Sequence, residues 1–195
     1  MPQAILFPYG EHPIGTSASN DLAWRRHEAS GGFAPVIPTR KHLDYALGYI
    51  ELGLFPEARE ELSRITTADR KLPAVLAVLL ELAMAEETWT AVITFAPQVA
   101  DADPSNERPW IAWAYALRER RQIAEARDVL LRGAGLIYEP SVLVDYNLAC
   151  YFCLLGDLPE ARRRLDLVFA RDSNWKTDAK NDPDLAALHG PKKHK

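Results

Sequence analysis

The sequence predicts an all-α fold: an α-solenoid of about four helix-turn-helix repeats closed by a C-terminal capping helix. Three observations predict it. Between Tyr146 and Val168, apolar residues recur at helical spacing on either side of Gly156-Asp157. The same pattern returns up the chain at steps of 34 or 35 residues. Each joint between copies carries turn-forming residues.

The last hairpin is the clearest. Leu148, Ala149, Phe152 and Leu155 make one apolar stripe, and Leu158, Ala161, Leu165 and Val168 make the second. Gly156 supplies the freely turning residue that ends the first helix. Pro159 falls where the second begins, a position at which its missing N–H costs nothing and its fixed φ helps. Helices joined this tightly are antiparallel, and the small residues Ala149 and Ala161 allow close approach. Sliding the pattern upstream aligns Ala161 with Ala126, Val92 and Ala58, Leu158 with Ile123, Trp89 and Phe55, and Ala149 with Ala114, Leu80 and Ala46. The copies span about 39–72, 73–106, 107–141 and 142–174. Pro73, the run Asp103-Pro104-Ser105-Asn106 with Pro109, and Glu139-Pro140-Ser141 mark the joints.

This pattern resembles the tetratricopeptide repeat (TPR) proteins, in particular the short bacterial solenoids. Ala46, Tyr49, Gly53, Phe55 and Ala58 carry the resemblance in the first copy, and Trp89 with Asp103-Pro104 in the second. Trp110, Ala114 and Ala126 carry it in the third, and Leu148, Ala149, Gly156, Leu158 and Ala161 in the fourth. It covers roughly residues 39 to 188, and the period is more diagnostic than any one residue. The second copy departs most. Leu80 and Val92 replace small residues, Glu87 replaces the turn glycine, and Pro97 falls inside the second helix, where a kink or break is expected.

Residues 1–38 form a different material, a Pro/Gly-rich N-terminal arm holding Pro2, Pro8, Pro13, Pro35 and Pro38. A short helix is expected from Asn20 or Asp21 to about His27, and the apolar cluster Ile5, Leu6 and Phe7 is expected to dock on the first hairpin or in the groove. At the other end, residues 174–190 resemble the closing segment of many bacterial members of the family. Trp175, Leu185 and Leu188 are expected to cover the last hairpin's apolar face, as an end repeat requires. Full burial of Trp175 would make its replacement by Ala cost roughly 3–5 kcal/mol.

Composition bounds the function. With 48% hydrophobic and 26% charged residues the chain can bury a continuous core. A net charge of −4 and a pI near 5.8 argue against a nucleic-acid or anionic-membrane binder. The basic run Lys192-Lys193-His194-Lys195 reads as a frayed terminus. Absence of a long apolar run or signal-like leader, with only two cysteines, leads to an expected reducing, cytoplasmic location.

Catalysis has no identifiable residues here. Cys150 and Cys153 form a CxxC in mid-helix, without a second pair, a nearby His or the helix N-terminus that lowers a redox thiol's pKa. They read as ordinary helix cysteines, partly groove-facing. The five histidines are scattered, and no HExxH, phosphate loop or GxSxG occurs. Glu57, Glu60 and Glu61 read as a solvated helix face, and the run Arg118 to Arg121 as a helix end complementing the dipole. No cofactor or metal is expected.

The expected role is therefore a non-catalytic protein–protein interaction module, a scaffold or adaptor. The resemblance implies that the first helices line a concave groove, which would hold a peptide or partner helix. The alternative is a structural protein self-associating as a homodimer through the groove or an end face. The family's geometry puts Leu43, Leu47, Ile50, Ala77, Glu81 and Met84 in that groove. It adds Arg108, Ile111, Tyr115 and Arg118 in the third copy, and Tyr146, Cys150 and Cys153 in the fourth. The trough is mainly apolar with charge at its middle, suiting an amphipathic helix or apolar segment oriented by an acid meeting Arg108 or Arg118. Tyr115 is the expected hot spot. Some relatives clamp the acidic C-terminal tails of heat-shock chaperones with Lys, Asn and Arg side chains. The two possible frames here hold Leu43, Leu47, Val78, Arg108 and Ala112, or Ala77, Glu81, Ala112, Leu143 and Asn147, so such binding is not expected.

Overall fold

A computed structural model of the chain describes residues 37–189. The chain divides between Pro38 and Thr39 into two units, and the second holds the helices described below. The expected N-terminal helix and the docking of Ile5, Leu6 and Phe7 lie outside the described residues. Among the described residues the structure is all-helical, without strands. No helix there is long and apolar enough to cross a membrane.

Four helical hairpins succeed one another. They are α1 (Thr39–Glu51) with α2 (Phe55–Ser63), α3 (Pro73–Ala85) with α4 (Trp89–Ala102), α5 (Glu107–Glu119) with α6 (Ile123–Ala134), and α7 (Val142–Leu154) with α8 (Leu158–Arg171). A short closing segment ends the series, made of α9 (Trp175–Asn181), a 3-10 turn (Pro183–Leu185) and α10 (Ala186–His189). Successive helices pack against each other along the whole series.

One turn is built four times. Gly53, Glu87, Arg121 and Gly156 all adopt positive φ, at +72°, +54°, +64° and +85°. After each, the next residue donates its N–H five residues back: Leu54 to Tyr49, Thr88 to Ala83, Gln122 to Leu117 and Asp157 to Phe152, all at 2.8–2.9 Å. The left-handed residue itself bonds three back at 2.9–3.1 Å. This is the Schellman closure, which satisfies carbonyls that a helix end leaves open. Glycine is favoured there because it has no Cβ to clash. Glu87 and Arg121 nevertheless take the same conformation, so the closure is imposed by the packing of the hairpin as well as by residue type. The residues that open each second helix also share one conformation, φ near −81 to −91° and ψ near 58 to 71°. Among these four only Asp157 caps with its side chain, accepting from the Glu160 N–H at 3.2 Å.

The aligned small residues are where the helices cross. Ala46, Ala114 and Ala149 on the first helices, and Ala58, Ala126 and Ala161 on the second, are all fully buried. The second hairpin uses Leu80 and Val92 instead, and accommodates them with alanines opposite: Ala83, Ala96, Ala112 and Ala116 complete that cluster. Volume is conserved across the contact rather than at each position. The expected break at Pro97 does not occur. Helix α4 runs through it, its face of Val92, Ala96 and Ala100 held between α3 and α5. Packing on both sides outweighs one missing backbone hydrogen bond.

Two further contacts locate the core. Trp110 is 1% exposed, donates Nε1–H to the Pro104 carbonyl at 3.1 Å and stacks on Trp113. It lies so close to Gly133 that a Cβ there would run into its ring. Glu61 corrects the expectation of a solvated acidic face. It is 8% exposed and bonds His42 at 2.7 Å and Arg64 at 2.6 Å, while Glu57 and Glu60 are exposed. His42 stands at the position that Trp110 occupies two periods later, which explains why a polar ring is buried there.

Candidate functional site

The first helices supply the residues expected in the groove, and the structure divides them sharply. Leu43 and Ile50 are 6% exposed and belong to a core cluster with Val75, Val78 and Leu82 of α3. Ile111 is 3% exposed. A partner cannot reach these side chains in the closed stack, so they support the neighbouring hairpin instead of lining an open trough. The reason is the short reach between first helices, which lets an aliphatic side chain on one pack directly on the next. Leu47, Ala77, Glu81 and Met84 are partly exposed, and Arg108 is exposed. Arg108 meets Glu81 across the hairpin joint at 2.8 Å. Tyr115, about two turns further along α5, is 9% exposed, with its ring edge-on to Trp89 at 5.5 Å. Burial, with Glu119 beside it, pushes the Tyr115 hydroxyl above the usual tyrosine range.

At the C-terminal end the same face is filled by the chain itself. Arg118 forks onto Asp184, with Nε to Oδ2 at 2.8 Å and a second guanidinium nitrogen to Oδ1 at 2.5 Å. It also touches Glu119. Burial opposes the charge on Arg118, but the bonds to Asp184 and Glu119 outweigh it and hold the group firmly protonated. Tyr146 donates its hydroxyl to Asp182 at 2.8 Å, and the Cys150 thiol approaches the same oxygen at 3.6 Å. Asp182 also caps the 3-10 turn by accepting the Asp184 N–H at 2.9 Å. Leu185 is 0% exposed, and Trp175 lies on Tyr146 with ring centres 4.8 Å apart.

Two expectations are corrected by this arrangement. Arg118, expected to orient a partner's acid, is engaged by an acid of its own chain. Tyr146, Cys150 and Cys153 are buried, at 3%, 4% and 3%, because the closing segment lies over them. Trp175 lies on the last hairpin and is partly exposed, so the cost tied to full burial does not apply, and Leu185 is the closing segment's fully buried anchor. The residues missed in the sequence are Asp182 and Asp184. Their signal is present in Asp182-Pro183-Asp184-Leu185: two acids around a helix-starting proline, with one aliphatic residue after them.

Burial, with Asp182 next, pushes the Cys150 thiol well above its ordinary value, and burial raises Cys153 as well. Raised thiols are poor nucleophiles, which runs against redox use of the CxxC. Cys150, Asp182 and Asp184 bring ligand-type atoms within 4.8 Å of one another. Arg118 and Tyr146 engage those acids, and a guanidinium already supplies the positive charge that a metal would bring.

By fold the chain is similar to a solved structure described as MamA AMB-1, in a P212121 form. The TM-score is 0.61 and the identity 19%, with 80% of this chain and 81% of that chain covered. The likeness is one of fold, a TPR-like α-solenoid. No family model matches the chain, and no curated protein matches it by sequence.

Proposed function

We propose that the chain is a non-catalytic protein-interaction module that holds a peptide or partner helix of another protein on the concave face of its first three hairpins. The observation that carries this reading is the occupancy of the fourth. There the same face grips a short segment through the Tyr146 hydroxyl and one buried leucine, and Arg118 at the end of the third hairpin's first helix adds a guanidinium–carboxylate fork. The adjoining surface offers similar tools: Arg108 with Glu81, the edge of Tyr115, and the aliphatic Leu47 and Met84. A TPR-like fold supports a scaffold role. Two free, buried cysteines suit a reducing compartment, and the module is read as cytoplasmic.

The test is affinity capture with the full chain, identification of the captured protein, and titration of that partner against parent, Arg108→Ala and Tyr115→Ala proteins that remain folded by circular dichroism. Each substitution is expected to weaken binding about tenfold or more, the effect of losing a central hot spot. Unchanged affinity in both would move recognition off the concave face.

A further inference from the structure

A second surface is carried by α4, α5 and α6. Between the second helices of hairpins 2 and 3 lies a cleft of about 350 Å³. Ile93, Trp113, Leu117 and Val129 line it, and Glu125 and Asp128 stand at its edge. Trp113 and Leu117 each lie two residues from a concave-face residue of α5, about 200° round the helix, so the cleft opens on the other side.

The internal repeat shows what is unusual about it. One period later, Ile93, Glu125, Asp128 and Val129 give way to Arg127, Glu160, Arg163 and Arg164. There Glu160 holds two guanidinium groups, Arg163 at 2.7 Å and Arg164 at 2.9 Å. One period earlier, Arg59 stands at the Ile93 position and pairs with Glu86. The middle cleft keeps the carboxylate and lacks these arginines. Glu125 bonds the neutral Gln122 at 2.8 Å, and Asp128 pairs with its chain neighbour Arg127 at 2.7 Å while its side chain stays 64% exposed. Ile93 stands where both flanking copies place an arginine, Val129 stands where the later copy places Arg164, and Trp113 lines the space. An indole face is a good seat for a guanidinium, as Arg132 over Trp110 at 5.5 Å shows within the same hairpin.

We propose that this cleft receives an arginine side chain from a partner protein. Its guanidinium lies on Trp113 and forks onto Glu125, and the residues beside it in the partner pack on Ile93 and Val129. The partner supplies in trans the cation that Arg163 and Arg164 supply within hairpin 4. This surface is independent of the concave reading, which can fail without it.

The test uses the full chain and a fluorescein-labelled, capped peptide, Ala-Leu-Arg-Leu-Ala, in an anisotropy titration at low and moderate salt. Saturable, salt-weakened binding is expected. Replacing the arginine by citrulline, which keeps the shape and removes the charge, is expected to lower affinity about tenfold or more. Glu125→Gln combined with Asp128→Asn should do the same. Val129→Arg rebuilds the Arg164 arrangement from within, so it should abolish binding without lowering the melting temperature. Arg108→Ala should leave binding unchanged. Equal affinity for the arginine and citrulline peptides overturns the proposal. So does the absence of saturable binding up to about 1 mM peptide, or binding lost in Arg108→Ala and kept in the Glu125/Asp128 double variant.

Discussion

Arg108 and Arg118 lie on one helix, α5, and the sequence gives them the same expected role. In the structure they belong to different regimes. Arg108 is exposed and shares a hydrogen bond with Glu81 across a hairpin joint. Arg118 is half-buried and forked onto Asp184, under a segment anchored by the fully buried Leu185. The face of the first helices is thus covered at its C-terminal end and more exposed around Arg108, and the two arginines stand at opposite ends of one helix. What separates them is a neighbour: among the described residues the fourth hairpin is followed by the closing segment, which stacks where a further hairpin would. An end repeat must be covered, and here the cover uses the groove side.

The largest way to break the contrast is to remove the anchor. Leu185→Ala should cost about 2–5 kcal/mol, with a matching fall in melting temperature, because the side chain is fully buried. Trp175→Ala should cost less than Leu185→Ala, since Trp175 is partly exposed. The two arginines come next. Arg118→Ala leaves Asp184 without its charged partner and should cost about 2 kcal/mol by denaturant unfolding. Arg108→Ala removes an exposed pair and should cost less than about 0.5 kcal/mol. Equal losses would erase the distinction between the two ends.

The turns sharpen the comparison at a smaller scale. Gly156 at φ +85° and Arg121 at φ +64° close equivalent hairpins. Gly156→Ala should cost about 1–2 kcal/mol, and Arg121→Gly should gain up to about 1 kcal/mol, both read from melting temperatures. The smallest effect is with pH. The Arg163 guanidinium, with Arg164 beside it, holds the Glu160 carboxyl down to about 2 from an ordinary 4.5, against the opposing effect of partial burial. A depressed carboxylate adds stability that is present above about pH 4.5 and lost as pH falls toward 2. Solvent screening keeps this below about 1 kcal/mol. Stability measured across that window in parent and Glu160→Gln proteins checks it, the variant showing the shallower slope.

The repeat architecture is legible in the sequence because it rests on spacing. Alanines at Ala46, Ala58, Ala114, Ala126, Ala149 and Ala161 mark helix crossings that no other part of the fold can relocate. No break occurs at Pro97 because local propensity is overridden by packing on both sides of α4. Glu61 and His42 look unrelated in the sequence because they lie 19 residues apart and meet only when α1 folds on α2. The candidate site is legible in position and not in state. Periodicity places Arg118, Tyr146 and Cys150 on the concave side, but whether that side is open depends on where a segment more than 30 residues downstream returns. A period of 34 residues carries no information about a contact made once, at the end of the stack.

The central claim, that the closing segment seals the C-terminal end of the concave face, is tested most directly by the two cysteines. They are the only thiols in the chain. Cys150 lies beneath Asp182, and Cys153 is buried beside Ala187 and Leu188 of the closing segment. In the native full chain both should react with a chromogenic disulfide reagent far more slowly than a free thiol, and Leu185→Ala should speed that reaction by about tenfold or more while the protein stays helical. Reaction of both thiols in the parent at the rate of the unfolded chain would contradict the account.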